Sequence, residues 1–429
     1  MGYYQGKGAH LVWRSPSVRA RTQPDCALTP GVNMVSCDNW TASLRMLVTP
    51  TFTSGDYLLK LTGSGNQQAY IPLTVWDPGS RATYLVVART LTEQGWNNFG
   101  GYDYYTGLGP CPAGAPTYPV CNRARVVSFD RPYADGRGAS DFLGNEYPLV
   151  RFAEQHGLDV TYVTDVTLSE YPHVMDNHRV ILSLGHDETW TNAERVGALD
   201  AVRHGVNVVF FGAAAVLRHS RLQSSPLGRD REEVDYRDAQ SDPLNGVASP
   251  LEVTGNTWSS PPTDWSETVL TGEEYAGYGP LTMTFPFVVS DASSWLYRGT
   301  GLVNGSRIAG VIASDIDHFD PNAIAPANLE IVGHSPLPVA DVFTTQGAWN
   351  GDTYSDATYW TDPQSKAGVF DSGTVNWIAA MDSCPGHGVC PASLIQRITG
   401  NLLRFFGQGP AGRRAPSVSN ISSITPAGS

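Results

Sequence analysis

The chain has 429 residues, enough for two or three domains around a substantial core. Hydrophobic residues at 41% against 16% charged exclude a disordered chain, and no apolar run reaches the length of a membrane span. A net charge of −13, with three lysines (Lys7, Lys60, Lys366), leaves no basic stripe to neutralise phosphates and excludes nucleic acid as a partner.

Residues 1–78 read as β structure, a partial sandwich of immunoglobulin-like type. TSGDYLLKLTG and QQAYIPLTVWD alternate apolar and polar residues across a Gly/Asn-rich turn, as a hairpin does, and Asp77-Pro78-Gly79 punctuates the chain. The pattern then changes to strands alternating with helices. ATYLVVA is a short buried strand; Pro148 opens a helix that Gly157 closes; DVTYVTD and RVILSLG are strands. A capping box, Thr191 with Glu194, starts a helix that stops at Gly205; GVNVVFFG follows as a strand, and a short helix is expected from Ala213. Near-continuous apolar strands joined by helices indicate an α/β domain over 79–410 with a doubly wound, mostly parallel sheet covered on both faces. An acidic, loop-rich insertion occupies about 222–300. RIAGVIASDID resumes as a strand, Pro391 opens a last helix ended by Gly407, and 411–429 reads as a disordered tail.

The six cysteines fall into three close pairs, Cys26 with Cys37, Cys111 with Cys121 and Cys384 with Cys390, each across a turn-rich loop. Loop-stapling disulfides are favoured over free thiols or a zinc site, and they place the chain in an oxidising, extracytoplasmic compartment. No charged n-region and apolar h-region opens the chain, so a secreted protein is expected whose signal region lies upstream of Met1.

Ligands of open parallel sheets bind beyond the carboxyl ends of the strands. RVILSL runs straight into Gly185-His186-Asp187-Glu188; ATYLVVA leads to the Tyr-rich loop around Tyr102, Tyr104 and Tyr105; RIAGVIA leads to Ser314, Asp315, Asp317, His318 and Asp320. Carboxylates and imidazoles converging from separate strands could carry a hard metal or do acid–base work. Each also has a plainer reading: the HDE triplet as a helix cap, the tyrosines as packing. The DIDHFD run reads as turn carboxylates, since it lacks the glycine and terminal glutamate of an EF-hand. No cysteine follows a strand, which argues against thiol catalysis.

Taken in order, GYYQGKGA (2–9), QGWNNFGGYDYY (94–105), VSFDRPY (127–133), GHDETW (185–190) and FFGAAA (210–215) resemble the N,N-dimethylformamidase large (beta) subunit family over nearly the whole chain. The resemblance implies a glutamine-amidotransferase-like domain and a mononuclear iron, held by two tyrosines and a glutamate, that activates water to hydrolyse an amide. Carried over, Glu188 is the ligand glutamate and Tyr105 one ligand tyrosine; Tyr133 is the second, with Tyr147 in reserve. His186, Asp187 and Asp315 are the acid–base and orienting groups, and Trp96, Asn97 and Ala214 form the substrate rim. Departures are Ala214 for the family's asparagine, Thr189 for tyrosine, Trp96 for tyrosine and Asp315 for glutamate. They turn attention from dimethylformamide itself to another small-molecule substrate. The alternative is a non-catalytic secreted binding module, for saccharide, using the Trp- and Tyr-rich loops. A homo-oligomer is allowed.

Overall fold

The computed structural model describes residues 9–111, 113, 120–280, 282–338, 343–344, 353–382 and 391–414. It is a mixed α/β protein with several sheets, the largest seven-stranded. In chain order the strands of that sheet are β1 (Tyr84–Ala88), β2 (Val160–Thr164), β3 (Val180–His186), β4 (Asn207–Ala213), β5 (Glu330–Leu337), β6 (Thr353–Thr361) and β7 (Gly368–Asp371). They lie side by side as β5-β6-β7-β4-β3-β1-β2. The run β2, β1, β3, β4, β7 is parallel; β6 and β5 extend it antiparallel.

The reason for this layering is visible in single strands. Every residue of β1 and of β4 is buried, so both faces of these strands need cover, and near-continuous apolar runs meet that need. Tyr84, Val86, Leu182 and Phe211 point to one face, packed by α2 (Tyr147–Gln155), α5 (Trp377–Ala380) and α6 (Pro391–Phe406). Leu85, Val87, Ile181 and Phe210 point to the other, covered by α3 (Asp165–Glu170) and α4 (Asn192–Arg203). Thr191 caps α4 by accepting from the Glu194 N–H at 3.3 Å. Between β1 and the loop that follows lies α1 (Thr90–Trp96).

Before residue 78 the described chain carries two separate hairpins, Ala27–Thr29 with Met34–Ser36 and Gly55–Thr62 with Gln68–Val75, rather than two facing sheets of a sandwich. Disulfides Cys26–Cys37 and Cys111–Cys121 are formed; Cys384 and Cys390 lie outside the described residues, as do 415–429. Residues 411–414 pack, with the Ala411 N–H donating to Asn207 Oδ1 at 3.1 Å. Among the described residues no helix is long and apolar enough to cross a membrane.

Three further expectations change in the structure. No helix starts at Ala213. Ala214 (φ 54°) and Val216 (φ 58°) turn the chain sharply into the strand Arg218–Ser225, which pairs with Gly228–Val234. That hairpin occupies the start of the stretch expected to be loop-rich. It joins Val126–Ser128 and Thr189–Thr191 in a four-stranded sheet. Also, Arg307–Ile312 is not a strand of the main sheet. It pairs with Phe285–Val288, while Asp315–His318 pairs with Glu274–Tyr278.

Candidate functional site

In the main sheet β1 has β2 on one side and β3 on the other, so the chain reverses its direction of travel there. The crevice such a reversal opens lies at the carboxyl ends of β1 and β3. Two glycines allow the close approach of backbone at that end. A Cβ on Gly212 would lie 1.4 Å from the Gly185 carbonyl oxygen, and one on Gly185 (φ 55°) would meet Asn145 Cβ at 2.8 Å.

Glu188 sits immediately past β3 and is buried. Four side chains converge on it. The Tyr105 hydroxyl and, at 3.1 Å, Trp96 Nε1 donate to its Oε2; Arg218 Nε donates to Oε1 at 3.0 Å; and His186 Nε2 lies 3.7 Å from Oε2. That His186 nitrogen is buried with no hydrogen-bond partner among the described residues. The Trp96 and Tyr105 rings stack 4.1 Å apart, and the Arg237 guanidinium covers Tyr105 at 4.2 Å from its centroid.

Each member is held by local structure. Thr189–Thr191 runs parallel to Arg218–Ser225 with Arg218 opposite Thr189, and the Arg218 N–H donates to the Glu188 carbonyl at 2.7 Å, fixing cation beside carboxylate. Tyr105 is set by Asp103, whose Oδ1 accepts its N–H at 2.7 Å. Arg131, from the SFDRPY segment, donates to the carbonyls of Gln94 at 3.0 Å and Tyr102 at 2.9 Å, stapling the loop from its two ends. Positive-φ residues Gly185, Ala214, Val216 and Ser314 crowd the same end of the molecule. Such strain, most marked in the β-branched Val216, is characteristic of functional sites.

Burial works to raise the Glu188 carboxyl, but Arg218, His186 and Arg237 together outweigh it and hold the group at about 2. Burial and the neighbouring Glu188 charge push the Tyr105 phenol well above its usual range, so it donates rather than ionises. Tyr275 donates to Asp315 Oδ1 at 2.9 Å and feels the charge of Glu188, which places this second tyrosine near the cluster.

The residues singled out from the sequence divide. Glu188, His186, Tyr105 and Trp96 come together, and Trp96 is 42% exposed at the rim. Asp187 turns away beneath the sheet end, accepting from Ser183 Oγ at 2.7 Å, and burial lifts it to about 6. Asn97 is no rim group: its amide donates to the Pro132 carbonyl at 2.9 Å and its oxygen accepts from Phe99 and Ala134, locking the loop. Ala214 contributes its backbone N–H to Asp317 Oδ1 at 2.7 Å, and Asp315 also accepts from Ser314 Oγ at 3.0 Å. Tyr133 faces a different cavity, among Glu93, Asp165 and Glu146, because it leaves the SFDRPY turn on the other side of α1. Among the described residues no contact joins Tyr147 to Glu188; it opens α2. Sequence reasoning missed Arg218 and Arg237, brought in by a polar hairpin and the chain just after it, and Tyr275, on a strand that pairs with Asp315–His318.

The chain matches the family model for N,N-dimethylformamidase beta subunit-like proteins, C-terminal, over residues 1–389. It belongs to that family. No curated protein matches the chain. In this dimethylformamidase-like chain, Tyr105 Oη, Glu188 Oε2 and His186 Nε2 are the donors that could share one ion. Among the described residues no group of three or more His, Cys, Asp or Glu is placed to hold a metal.

Proposed function

We propose that the chain hydrolyses the C–N bond of an amide at a mononuclear iron held by Tyr105, Glu188 and His186, with Tyr275 a further phenol close by. The observation that carries this reading is the buried His186 Nε2, unpartnered and facing the same Glu188 oxygen that Tyr105 addresses. Phenol, carboxylate and imidazole are donors suited to such an ion. Bound there, it would polarise the amide carbonyl and lower the pKa of a water.

The protein's own part is orientation. Arg218 keeps Glu188 ionised, Trp96 walls the site and donates to the same carboxylate, and Asp315 is held in one rotamer by Tyr275 and Ser314, ready to position a water. In this reading 79–410 is a glutamine-amidotransferase-like domain, supported by the β2-β1-β3-β4-β7 parallel run with helices on both faces. Two disulfides support an oxidising, extracellular setting.

A second reading, a non-catalytic module that binds saccharide through the exposed Trp96 ring, is favoured by the Arg218 ion pair, which already neutralises Glu188, and by Ala214. Elemental analysis separates the two. About one iron per chain, with a phenolate absorption band lost in Tyr105→Phe and metal lost in Glu188→Gln, is expected of the hydrolase. An apoprotein that takes up no metal on reconstitution refutes it.

A further inference from the structure

Two side chains cover the Tyr105 ring. Trp96 stacks on it at 4.1 Å, and the Arg237 guanidinium sits 4.2 Å from the same centroid. Arg237 follows the Gly228–Val234 strand and is half-buried. Its backbone lies in the left-handed region (φ 51°), held there by Asp235, whose Oδ1 accepts the Arg237 N–H at 2.8 Å. A non-glycine residue kept in that region stores strain, and such residues gather where ligands are clamped.

The guanidinium is only partly used. Nη1 donates to the Tyr104 carbonyl at 3.1 Å. Nε is buried with no hydrogen-bond partner among the described residues, and Nη2 makes no bond to them. Those two nitrogens form one edge of the fork, and such an edge receives a carboxylate through two parallel hydrogen bonds.

The surrounding charges leave that edge unmatched. Arg218 has its partner in Glu188, whereas neither Arg237 nor Arg123 forms an ion pair among the described residues. Arg123 spends Nη2 on the Tyr236 carbonyl at 3.1 Å, and burial together with the neighbouring Arg237 pushes it down to about 10. Asp235 feels all three arginines, but it pairs with none; its Oδ1 is taken by backbone and its Oδ2 is buried without a partner. Burial pushes Glu233 well above the carboxylate range, so it adds no charge, and Asp315 is engaged by Tyr275 and Ser314. Three guanidiniums therefore face two carboxylates, Glu188 and Asp235, in a chain whose net charge is −13.

We infer that the substrate carries a carboxylate a few bonds from its amide, bound by the Nε/Nη2 edge of Arg237 while the amide lies at Glu188. The inference rests on the hydrolase reading and names its substrate class. The C–N bond breaks, the acyl carbon takes the hydroxyl of water and the nitrogen takes its proton; the bound carboxylate is unchanged. A neutral dialkylamide would leave the Arg237 edge unmet, and a site built to bond a polar group rejects the analogue that lacks it.

Isothermal titration of the full chain at pH 7.5 with N-acetylglycinate, beside N-acetylglycinamide as the neutral isostere and inorganic phosphate, tests it. Saturable binding of the acid is expected, at least tenfold tighter than that of the isostere or of phosphate. Arg237→Gln should bind the acid at least tenfold more weakly, Arg237→Lys, which keeps the charge without the fork, should fall between, and Glu188→Gln should retain binding. Melting temperatures are measured alongside, so that folded variants are compared. No binding by the wild type, equal binding of the isostere or of phosphate, or equal binding by folded Arg237→Gln overturns the inference. So does loss of binding in folded Glu188→Gln, which would put the carboxylate on a metal held by Glu188. Iron is measured on the same samples. A protein that holds iron and does not bind the acid overturns this inference and leaves the hydrolase reading; one that binds the acid and takes up no iron refutes that reading and leaves the Arg237 site.

Discussion

Replacing Arg218 by methionine tests how the Glu188 cluster is held together. The folded carboxyl is held at about 2 against 4.5 for the free group. Each pH unit of such a difference corresponds to about 1.4 kcal/mol, so the interval corresponds to about 3 kcal/mol. The folded pKa is depressed, so this stability is complete above about pH 4.5 and is lost as the pH falls through about 2. Arg218 makes the largest lowering contribution, so without it the carboxyl keeps only His186, Arg237 and the Tyr105 hydrogen bond against the burial that raises it. Removing one partner of a buried pair costs about 3–5 kcal/mol, because the other is left buried and uncompensated. Arg218→Met is therefore expected to lower the urea midpoint by that much at pH 7 with an unchanged slope. Glu188→Gln in the same chain should restore more than half of the loss. The measurement is made with chelator present, so that the ion pair alone is read. A single-variant cost under about 1 kcal/mol, or additive losses in the double variant, would refute the reasoning.

Gly212→Ala should abolish folding, since its Cβ would sit 1.4 Å from the Gly185 carbonyl; soluble yield and circular dichroism check this. Tyr105→Phe removes a hydrogen bond to a charged group and should cost about 1.5–3 kcal/mol, with a shift in the emission of the stacked Trp96. Burial raises Asp371 to about 8, so the native state binds the extra proton and stability falls as pH rises from about 4 to 8. Asp371→Asn, which keeps the Gly373 N–H bond at 3.1 Å, should raise the melting temperature at pH 8 and change it little at pH 4.

How much of this was legible depended on what each residue answers to. β1, β3 and β4 are buried on both faces, so their apolar runs declare themselves whatever packs against them. Glu188 was legible because it sits two residues past such a strand. The hairpin Arg218–Val234 was not: RHSRLQSS and GRDREEV are polar, and their strand character comes from pairing with Thr189–Thr191 and Val126–Ser128. Arg218 therefore stayed invisible, and so did Tyr275, which reaches Asp315 only through the separate pairing of Glu274–Tyr278 with Asp315–His318. The two positive-φ turns at Ala214 and Val216 likewise defeated the expectation of a helix, because neither residue type signals a left-handed backbone. Tyr133 failed for a geometric reason: sequence distance gives no hint of which side of α1 a side chain leaves on.

The four-stranded sheet has a consequence for how this site changes chemistry. Its Arg218–Val234 hairpin brings the cation that sets the charge state of Glu188, while the carboxylate itself rides on the buried main sheet. Framework and tuning are thus carried by separable pieces of chain. Exchanging the exposed turn residues of that hairpin while keeping the buried His219, Glu233 and Val234 would vary the surroundings of Arg218 and leave the sheet that carries the carboxylate in place, which makes that turn the natural place to start when redesigning this scaffold.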